Sequence, residues 1–205
     1  MAKQKFNKKT LYTKTCVDNI LSIYDQDFNV ETTNWYLEAH TFAESLALNH
    51  NVELLKVCGI IAAFSPLKEW NQNKSIVRDF LKTGKAKHTG VFVDKAQDIL
   101  ECTGEQSEIA DILRGNKITS FFLNIAFPFN TSIVTIDRHA QDICLGQICL
   151  ENKRKMTSGQ YEFFVNCFTI AANYRDVTPS SMQAITWVKW RILKKKDVQE
   201  VDLPF

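Results

Sequence analysis

Apolar residues recur at intervals of three and four along almost the whole chain, and this spacing constrains the fold more than any other feature. Such spacing places apolar side chains on one face of a helix. The 205 residues include only 7 Gly and 4 Pro, too few for a barrel or sandwich of many short strands. The sequence therefore predicts an all-α protein. We expect helices at residues 11–24, 35–48, 52–64, 70–81, 91–102, 107–113, 118–127, 138–145 and 157–174, and a last helix after 178.

The chain length suits one compact domain, since about 100–200 residues per domain is usual. Residues 52–64 are almost continuously apolar, which is typical of a helix in the middle of a domain. Only residues 133–136 have a composition typical of a strand. We expect a single helical domain over residues 10–196, with a basic N-terminal arm at 1–9 and a C-terminal tail at 197–205.

Composition and charge limit the possible partners and compartments. A hydrophobic fraction of 45% and a charged fraction of 23% exclude global disorder, and a net charge of +2 argues against a strongly basic coat protein. The basic N-terminus is not followed by an apolar run of signal-peptide type, and no segment is apolar over the length that spans a bilayer. The six cysteines are scattered without a Cys-x-x-Cys pair, which indicates reduced, buried thiols. The sequence thus predicts a cytoplasmic protein with no cofactor, no metal and no membrane partner.

One segment, residues 113–143, carries the strongest candidate for chemistry. A Gly-containing turn leads into an apolar helix, an extended apolar bridge follows, and Asp137 then stands two residues before His139. Apolar neighbours would desolvate Asp137 and raise its pKa, as in a general base or an electrostatic stabiliser. An aspartate at a helix start is equally typical of an N-cap. Both interpretations of Asp137 stay open on the residues alone.

This segment resembles the core of the helix-hairpin-helix DNA glycosylases of the endonuclease III type. The matching stretches are Leu113–Ser120 (Leu-Arg-Gly-Asn-Lys-Ile-Thr-Ser), Leu123-Asn124 and Ile136–Ala140 (Ile-Asp-Arg-His-Ala). The resemblance implies a helical glycosylase architecture with a degenerate hairpin, because the second hairpin glycine of that family is absent. The four-cysteine iron–sulfur loop of many relatives is also absent.

The resemblance also implies roles for individual residues. Asp137 falls on the catalytic aspartate, and Lys117 on the lysine that acts as Schiff-base nucleophile in bifunctional members. The hairpin residues would contact the DNA backbone; they are Gly115, Asn116 and Thr119. Lys117 as a solvated surface lysine is the other interpretation of that residue.

An upstream stretch extends the resemblance. Residues 54–66 are similar to the early apolar helix of the family, which leads into a Ser-containing turn that faces the lesion. The residues expected to bind the substrate are Ser65, Trp70, Asn73, Arg138 and His139. We expect a cleft between the Ser65–Asn73 turn and the helices of Lys117 and Asp137. Arg138 would bind phosphate or pair with Asp142.

Small uncharacterised phage-encoded proteins are a closer match. They share Val134–Ala140 (Val-Thr-Ile-Asp-Arg-His-Ala) and Gln183–Arg191 (Gln-Ala-Ile-Thr-Trp-Val-Lys-Trp-Arg). This likeness implies a bacteriophage protein that acts in the host cytoplasm.

Three functions remain open on the sequence. The leading hypothesis is an N-glycosylase-like enzyme that acts on a modified or unusual DNA base, with Asp137 as the catalytic carboxylate. The second is a group-transfer enzyme that builds a modified DNA base on the same scaffold. The third is a non-catalytic phage factor that binds DNA or a host protein, in which Asp137 is a helix cap. The lysine runs at 3–9, 153–155 and 194–196 would form a positive face for DNA or be solvated.

Overall fold

The computed structural model describes residues 13–28, 35–88, 90–130, 132–150 and 155–201, with side chains as far as Lys194. Every regular element in these residues is an α-helix, which confirms the all-α prediction. Each predicted helix is present, with ends that differ by a few residues. The helices are α1 (Thr13–Tyr24), α2 (Trp35–His50), α3 (Leu54–Phe64), α4 (Trp70–Thr83), α5 (Gly90–Glu101), α6 (Gln106–Leu113), α7 (Asn116–Ala126), α8 (Arg138–Leu145), α9 (Ser158–Tyr174) and α10 (Pro179–Val201).

The helices form two compact units, and the single domain over residues 10–196 stays a prediction. An internal unit comprises residues 35–133 and holds α2 to α7. A terminal unit comprises residues 1–34 and 134–205 and holds α1, α8, α9 and α10. The periodicity that predicts helices does not say which helices share a core, so it could not give this division.

The predicted tail is helical as far as Val201, because residues 197–201 contain no Gly or Pro that would stop α10. The rest of the tail, the basic arm at 1–9 and the side chains of most of the lysine runs at 153–155 and 194–196 lie outside the described residues.

The internal unit is built around α3, which packs against α2, α4, α5, α6 and α7. Residues 57–64 of α3 are all buried, as the continuous apolar sequence predicted. Gly59 permits the close approach of α6, since a Cβ at this position would lie 2.7 Å from Cγ2 of Ile109. Helix α3 ends at Phe64; Ser65 keeps helical backbone angles and donates its N–H to the Ala62 carbonyl, and Pro66 has no N–H with which to continue the helix.

The terminal unit packs α1 against α8, α9 and α10 around a core rich in aromatic and cysteine side chains. Helix α9 begins with a complete capping box between Thr157 and Gln160. The hydroxyl of Thr178 accepts a hydrogen bond from the Ser181 N–H at 3.1 Å, so the predicted N-cap of α10 is confirmed. Residues 133–136, which have strand-like composition, are neither helix nor strand, and they pair with no strand in the described part of the chain.

Two predicted absences can be compared with the described residues. No single helix among them is long and apolar enough to cross a membrane, and α2 with α3 pass that test only as a pair bent by 117°. No group of three potential metal ligands occurs in the same residues. All six cysteines are free thiols, and only Cys102 is not buried.

Candidate functional site

Asp137 is the N-cap of α8, and three N–H groups hold its carboxylate. Its Oδ1 accepts from the backbone N–H of His139 at 2.9 Å and of Ala140 at 2.8 Å. Its Oδ2 accepts from the indole Nε1 of Trp187 at 3.0 Å. A carboxylate offers about four lone-pair sites, so one remains on Oδ2 of this half-buried group. The helix-cap interpretation of Asp137 is therefore correct, and it leaves one oxygen with acceptor capacity.

The apolar bridge before Asp137 is fixed by a buried tyrosine from α9. The Tyr161 hydroxyl donates to the carbonyl of Val134 at 3.1 Å and accepts from the N–H of Ile136 at 3.1 Å. Both backbone groups belong to buried residues that are in no helix or strand. The Tyr161 hydroxyl therefore supplies the hydrogen-bond partner that regular structure would otherwise provide. This pair of bonds sets the direction in which the chain enters α8.

Trp187 of α10 is surrounded by polar and charged groups as well as by the carboxylate. The ring of His139 lies edge-on to it at a centroid distance of 6.2 Å, and the Arg191 guanidinium carbon lies 4.9 Å from its ring centroid. Arg138 is exposed at the first position of α8. Asp137, Arg138, His139, Trp187 and Arg191 therefore form one cluster, which we call the Asp137 cluster.

Burial lowers the pKa of His139, and the positive charges of Arg138 and Arg191 lower it further. The carboxylates of Asp137 and Asp142 oppose this shift. The balance favours a neutral imidazole at neutral pH, which can accept or donate one hydrogen bond beside the carboxylate.

In the internal unit, the turn between α3 and α4 uses two of the predicted base contacts for its own structure. The Ser65 hydroxyl donates to the carbonyl of Ala62 at 2.8 Å. Asn73 is only 2% exposed, and its amide nitrogen donates to the carbonyl of Ile61 at 3.0 Å. Asn73 thus packs the turn through its amide nitrogen, while its buried Oδ1 has no hydrogen-bond partner among the residues that the structure describes, and the predicted substrate contact of Asn73 stays a prediction.

The same turn presents an apolar residue that the sequence analysis overlooked. Leu67 has a left-handed φ of +60° and is 89% exposed. The backbone conformation is costly for leucine, because its Cβ disfavours this region. An apolar residue between Pro66 and two charged residues was the available signal in the sequence.

Trp70 begins α4 and lies in an aromatic cluster. Its ring centroid is 5.1 Å from that of Trp35 and 5.8 Å from that of Phe42. Trp35 in turn lies 5.9 Å from Phe121 of α7, which is one helical turn beyond Lys117. The structure thus brings the predicted residue Trp70 to the same side of the internal unit as the helix that carries Lys117.

Helices α6 and α7 are joined by only two residues, Arg114 and Gly115, which we call the α6–α7 turn. Their φ angles are +53° and +92°. A Cβ at Gly115 would meet nothing within 4 Å, and no side chain caps the start of α7. Arg114, Gly115, Asn116 and Lys117 are all exposed, while Thr119 is half-buried. This helix start can therefore be approached by an anion, with two cations beside it.

Lys95 of α5 supports the turn from within the unit. Its ammonium group donates to the carbonyl of Leu113, the last residue of α6. Burial lowers the pKa of Lys95, and the nearby Arg114 lowers it further. Because its ammonium is bound to a helix end, Lys95 positions the turn.

The predicted residues divide between the units. Asp137, Arg138 and His139 belong to the terminal unit, and the predicted residues from Ser65 to Thr119 belong to the internal unit. The sequence prediction that both sets line one cleft stays a prediction. Trp187 and Arg191 were not among the predicted site residues, although the Trp-rich segment Gln183–Arg191 was a possible signal.

Comparison with known proteins gives one match. No curated protein matches the chain, and no solved structure matches it. A family model matches residues 2–194, a range that includes the Asp137 cluster in one unit and the α6–α7 turn in the other. The chain belongs to this family, which is described as a family of unknown function, DUF7178.

Proposed function

We propose that this protein is a DNA base-processing enzyme with an N-glycosylase-like activity on a modified or unusual base. Asp137 is its catalytic carboxylate. The observation that carries the proposal is the fixed, half-buried Asp137, whose Oδ2 keeps one acceptor site. The short α6–α7 turn supports the resemblance to the helix-hairpin-helix glycosylases, and the fold type is part of this proposal.

The hydrogen bonds of Asp137 favour one chemical role over another. Breaking the bond between a base and the sugar C1′ leaves positive charge on the sugar, and water then supplies the oxygen that bonds to C1′. A carboxylate held by three N–H groups does not need to reorganise as that charge develops, which is the condition for electrostatic stabilisation. We assign Asp137 this role, and His139 beside it can accept the proton that water loses.

Access to a base requires that the nucleotide leave the stack, at a cost of a few kcal/mol. Apolar side chains such as leucine act as wedges between base steps in proteins that distort DNA. We assign this role to Leu67, which is exposed at a strained turn. The exposed helix start at Gly115 and Asn116, with Arg114 and Lys117, contacts a phosphate.

The test is release of a base from duplexes that carry modified bases, measured for the wild type and Asp137→Asn. Asparagine can still accept from the helix N–H groups but removes the negative charge. Thr157→Ala is the control for a loss of stability, because it removes an N-cap from α9 in the same unit at a cost of about 1 kcal/mol, which is at least as large as that expected for Asp137→Asn. We expect Asp137→Asn to lose release while DNA binding is kept, and Thr157→Ala to keep both. Mass spectrometry of the product distinguishes base release from group transfer onto the base.

Lys117 is tested separately by borohydride reduction during turnover. A covalent protein–DNA adduct that disappears in Lys117→Gln supports a Schiff-base nucleophile. If no adduct forms while base release continues, the enzyme uses water as the nucleophile and Lys117 contacts phosphate.

A second candidate is a non-catalytic module that binds DNA or a host protein. The observation that favours it is that Asp137 caps α8 through both backbone bonds of Oδ1. This candidate predicts that Asp137→Ser, which keeps an oxygen for the cap, retains every activity of the wild type. The enzyme predicts loss of base release in the same variant.

A further inference from the structure

Helix α4 carries a line of positive charge that starts at the Ser65–Trp70 turn. Trp70, Lys74, Arg78 and Lys82 follow one another at four-residue intervals, and we call these four residues the α4 strip. At about 100° per residue, the four positions lie within about 120° of the helix circumference. The three cations therefore occupy one face over about 12 Å of helix length.

The strip combines its cations with aromatic rings. The Lys74 ammonium lies 5.6 Å from the ring centroid of Trp70, and the Arg78 guanidinium carbon lies 4.8 Å from the ring centroid of Phe42 on α2. These contacts hold the charges above half-buried rings instead of leaving them on freely moving side chains. Among the described residues, no carboxylate forms an ion pair with Lys74, Arg78 or Lys82. The only carboxylate within α4, Asp79, lies about 100° around the helix from Arg78.

Negative charge in the internal unit is concentrated elsewhere. An open groove of about 440 Å³ runs between α5 and α6, and its lining includes the carboxylates of Asp94, Asp98, Glu108 and Asp111. Lys95 and Arg114 line the same groove, and the four carboxylates lie on α5 and α6, not on α4. A polyanion that approaches the unit is therefore attracted to the α4 strip, whose three cations have no carboxylate in an ion pair with them in the part of the chain that the structure describes.

We infer that the α4 strip binds the phosphate backbone of DNA next to the nucleotide that the Leu67 turn contacts. A line of cations fits a line of phosphates, and 12 Å corresponds to about three or four phosphates of one strand at 3.4 Å per nucleotide. The strip has no protruding apolar side chain that would enter a lipid bilayer, since Trp70 is packed against Trp35 and Phe42. This inference rests on the proposed function only for the position of the target nucleotide.

The experiment measures the affinity for a fluorescein-labelled DNA duplex as a function of salt. The triple variant Lys74→Gln/Arg78→Gln/Lys82→Gln removes the strip charges. The control Lys14→Gln/Arg175→Gln removes one lysine and one arginine that are exposed in the terminal unit and lie outside the lysine runs. Each lost phosphate contact reduces the magnitude of the slope of log K against log salt by about 0.9. The strip variant, which loses three cations, should therefore have a slope smaller in magnitude by about two to three. The control should keep the wild-type slope.

Several outcomes overturn the inference. It fails if the strip variant and the control show the same slope, or if the wild type binds no DNA. It also fails if the wild type prefers anionic lipid vesicles and only vesicle binding depends on the strip. The single variant Lys82→Gln guards against a folding effect, because this lysine contacts no ring; it should lose about one third of the slope change.

The inference and the proposed function fail in different ways. If DNA binding depends on the strip while no base is released, the proposed function is wrong and the strip stands. If base release depends on Asp137 while the strip variant matches its control, the strip is wrong and the proposed function stands.

Discussion

The bond between the Trp187 indole and Asp137 Oδ2 makes a quantitative prediction. Trp187→Phe keeps an aromatic ring for packing but removes the N–H that lies 3.0 Å from the carboxylate. Hydrogen bonds to charged groups contribute about 1.5–3 kcal/mol, and the half-buried position of both partners allows water to replace part of this. We therefore expect a loss of about 1–2 kcal/mol in the free energy of unfolding of the terminal unit.

A double-mutant cycle separates this bond from the rest of the mutation. Asp137→Ser keeps an oxygen that can cap α8 and deletes the oxygen that faces the indole. Trp187→Phe combined with Asp137→Ser should show a coupling of about 1 kcal/mol in denaturant unfolding. Trp190→Phe is the matched control, since Trp190 is in the same helix and its ring lies 4.6 Å from the Lys194 ammonium, not beside a carboxylate. Its cycle with Asp137→Ser should be additive within about 0.5 kcal/mol.

The same bond should affect catalysis if the proposed function is correct. A carboxylate that loses its indole donor is less well oriented, and 1–2 kcal/mol corresponds to a decrease of about 5- to 30-fold in the rate of base release. The decrease should be smaller than that of Asp137→Asn. An additive cycle for Trp187, or a Trp187→Phe enzyme with the wild-type rate, would refute the reasoning that this indole orients Asp137.

Three further predictions concern other parts of the molecule. Leu67→Gly should raise the free energy of unfolding by about 1 kcal/mol, because glycine accepts the φ of +60° without strain. The same variant should weaken base release. A stability equal to or lower than that of the wild type would contradict the strain argument. Tyr161→Phe should lower the free energy of unfolding by about 1–3 kcal/mol, since it leaves the buried N–H of Ile136 without its hydrogen bond. A denaturation midpoint equal to that of the wild type would contradict this. Burial lowers the pKa of His139 and of His88, so protonation favours the unfolded chain, and stability should fall as the pH drops below about 6.5. His139→Asn with His88→Asn should reduce that pH dependence, and an unchanged dependence would assign it to other groups.

The helices were predictable because their signals are local. The C-terminal end of α3 follows from Pro66, and the start of α10 follows from Thr178 and Pro179; neither needs knowledge of the fold. Asp137 could also be recognised as a helix cap, since the cap depends on the next three residues alone. Local chemistry of this kind is readable from a single sequence.

The division into two units and the environment of Asp137 were not predictable in the same way. Trp187 reaches Asp137 from 50 residues away, and spacing along the chain carries no information about which helices pack together. The burial of Asn73 was unpredictable for a related reason: a polar residue next to a turn suggests exposure, whereas the packing of α4 on α3 buries it.

The central claim is that Asp137 stabilises the charge that develops when a DNA base is released, and one measurement tests it most directly. Release of a modified base from duplex DNA is followed under single-turnover conditions for the wild type, Asp137→Asn and the cap control Thr157→Ala. We predict a decrease of about 100-fold or more for Asp137→Asn, with DNA affinity unchanged, and a rate near that of the wild type for Thr157→Ala. Equal rates for folded Asp137→Asn and Thr157→Ala would contradict the claim, and so would a wild type that releases no base from any modified duplex.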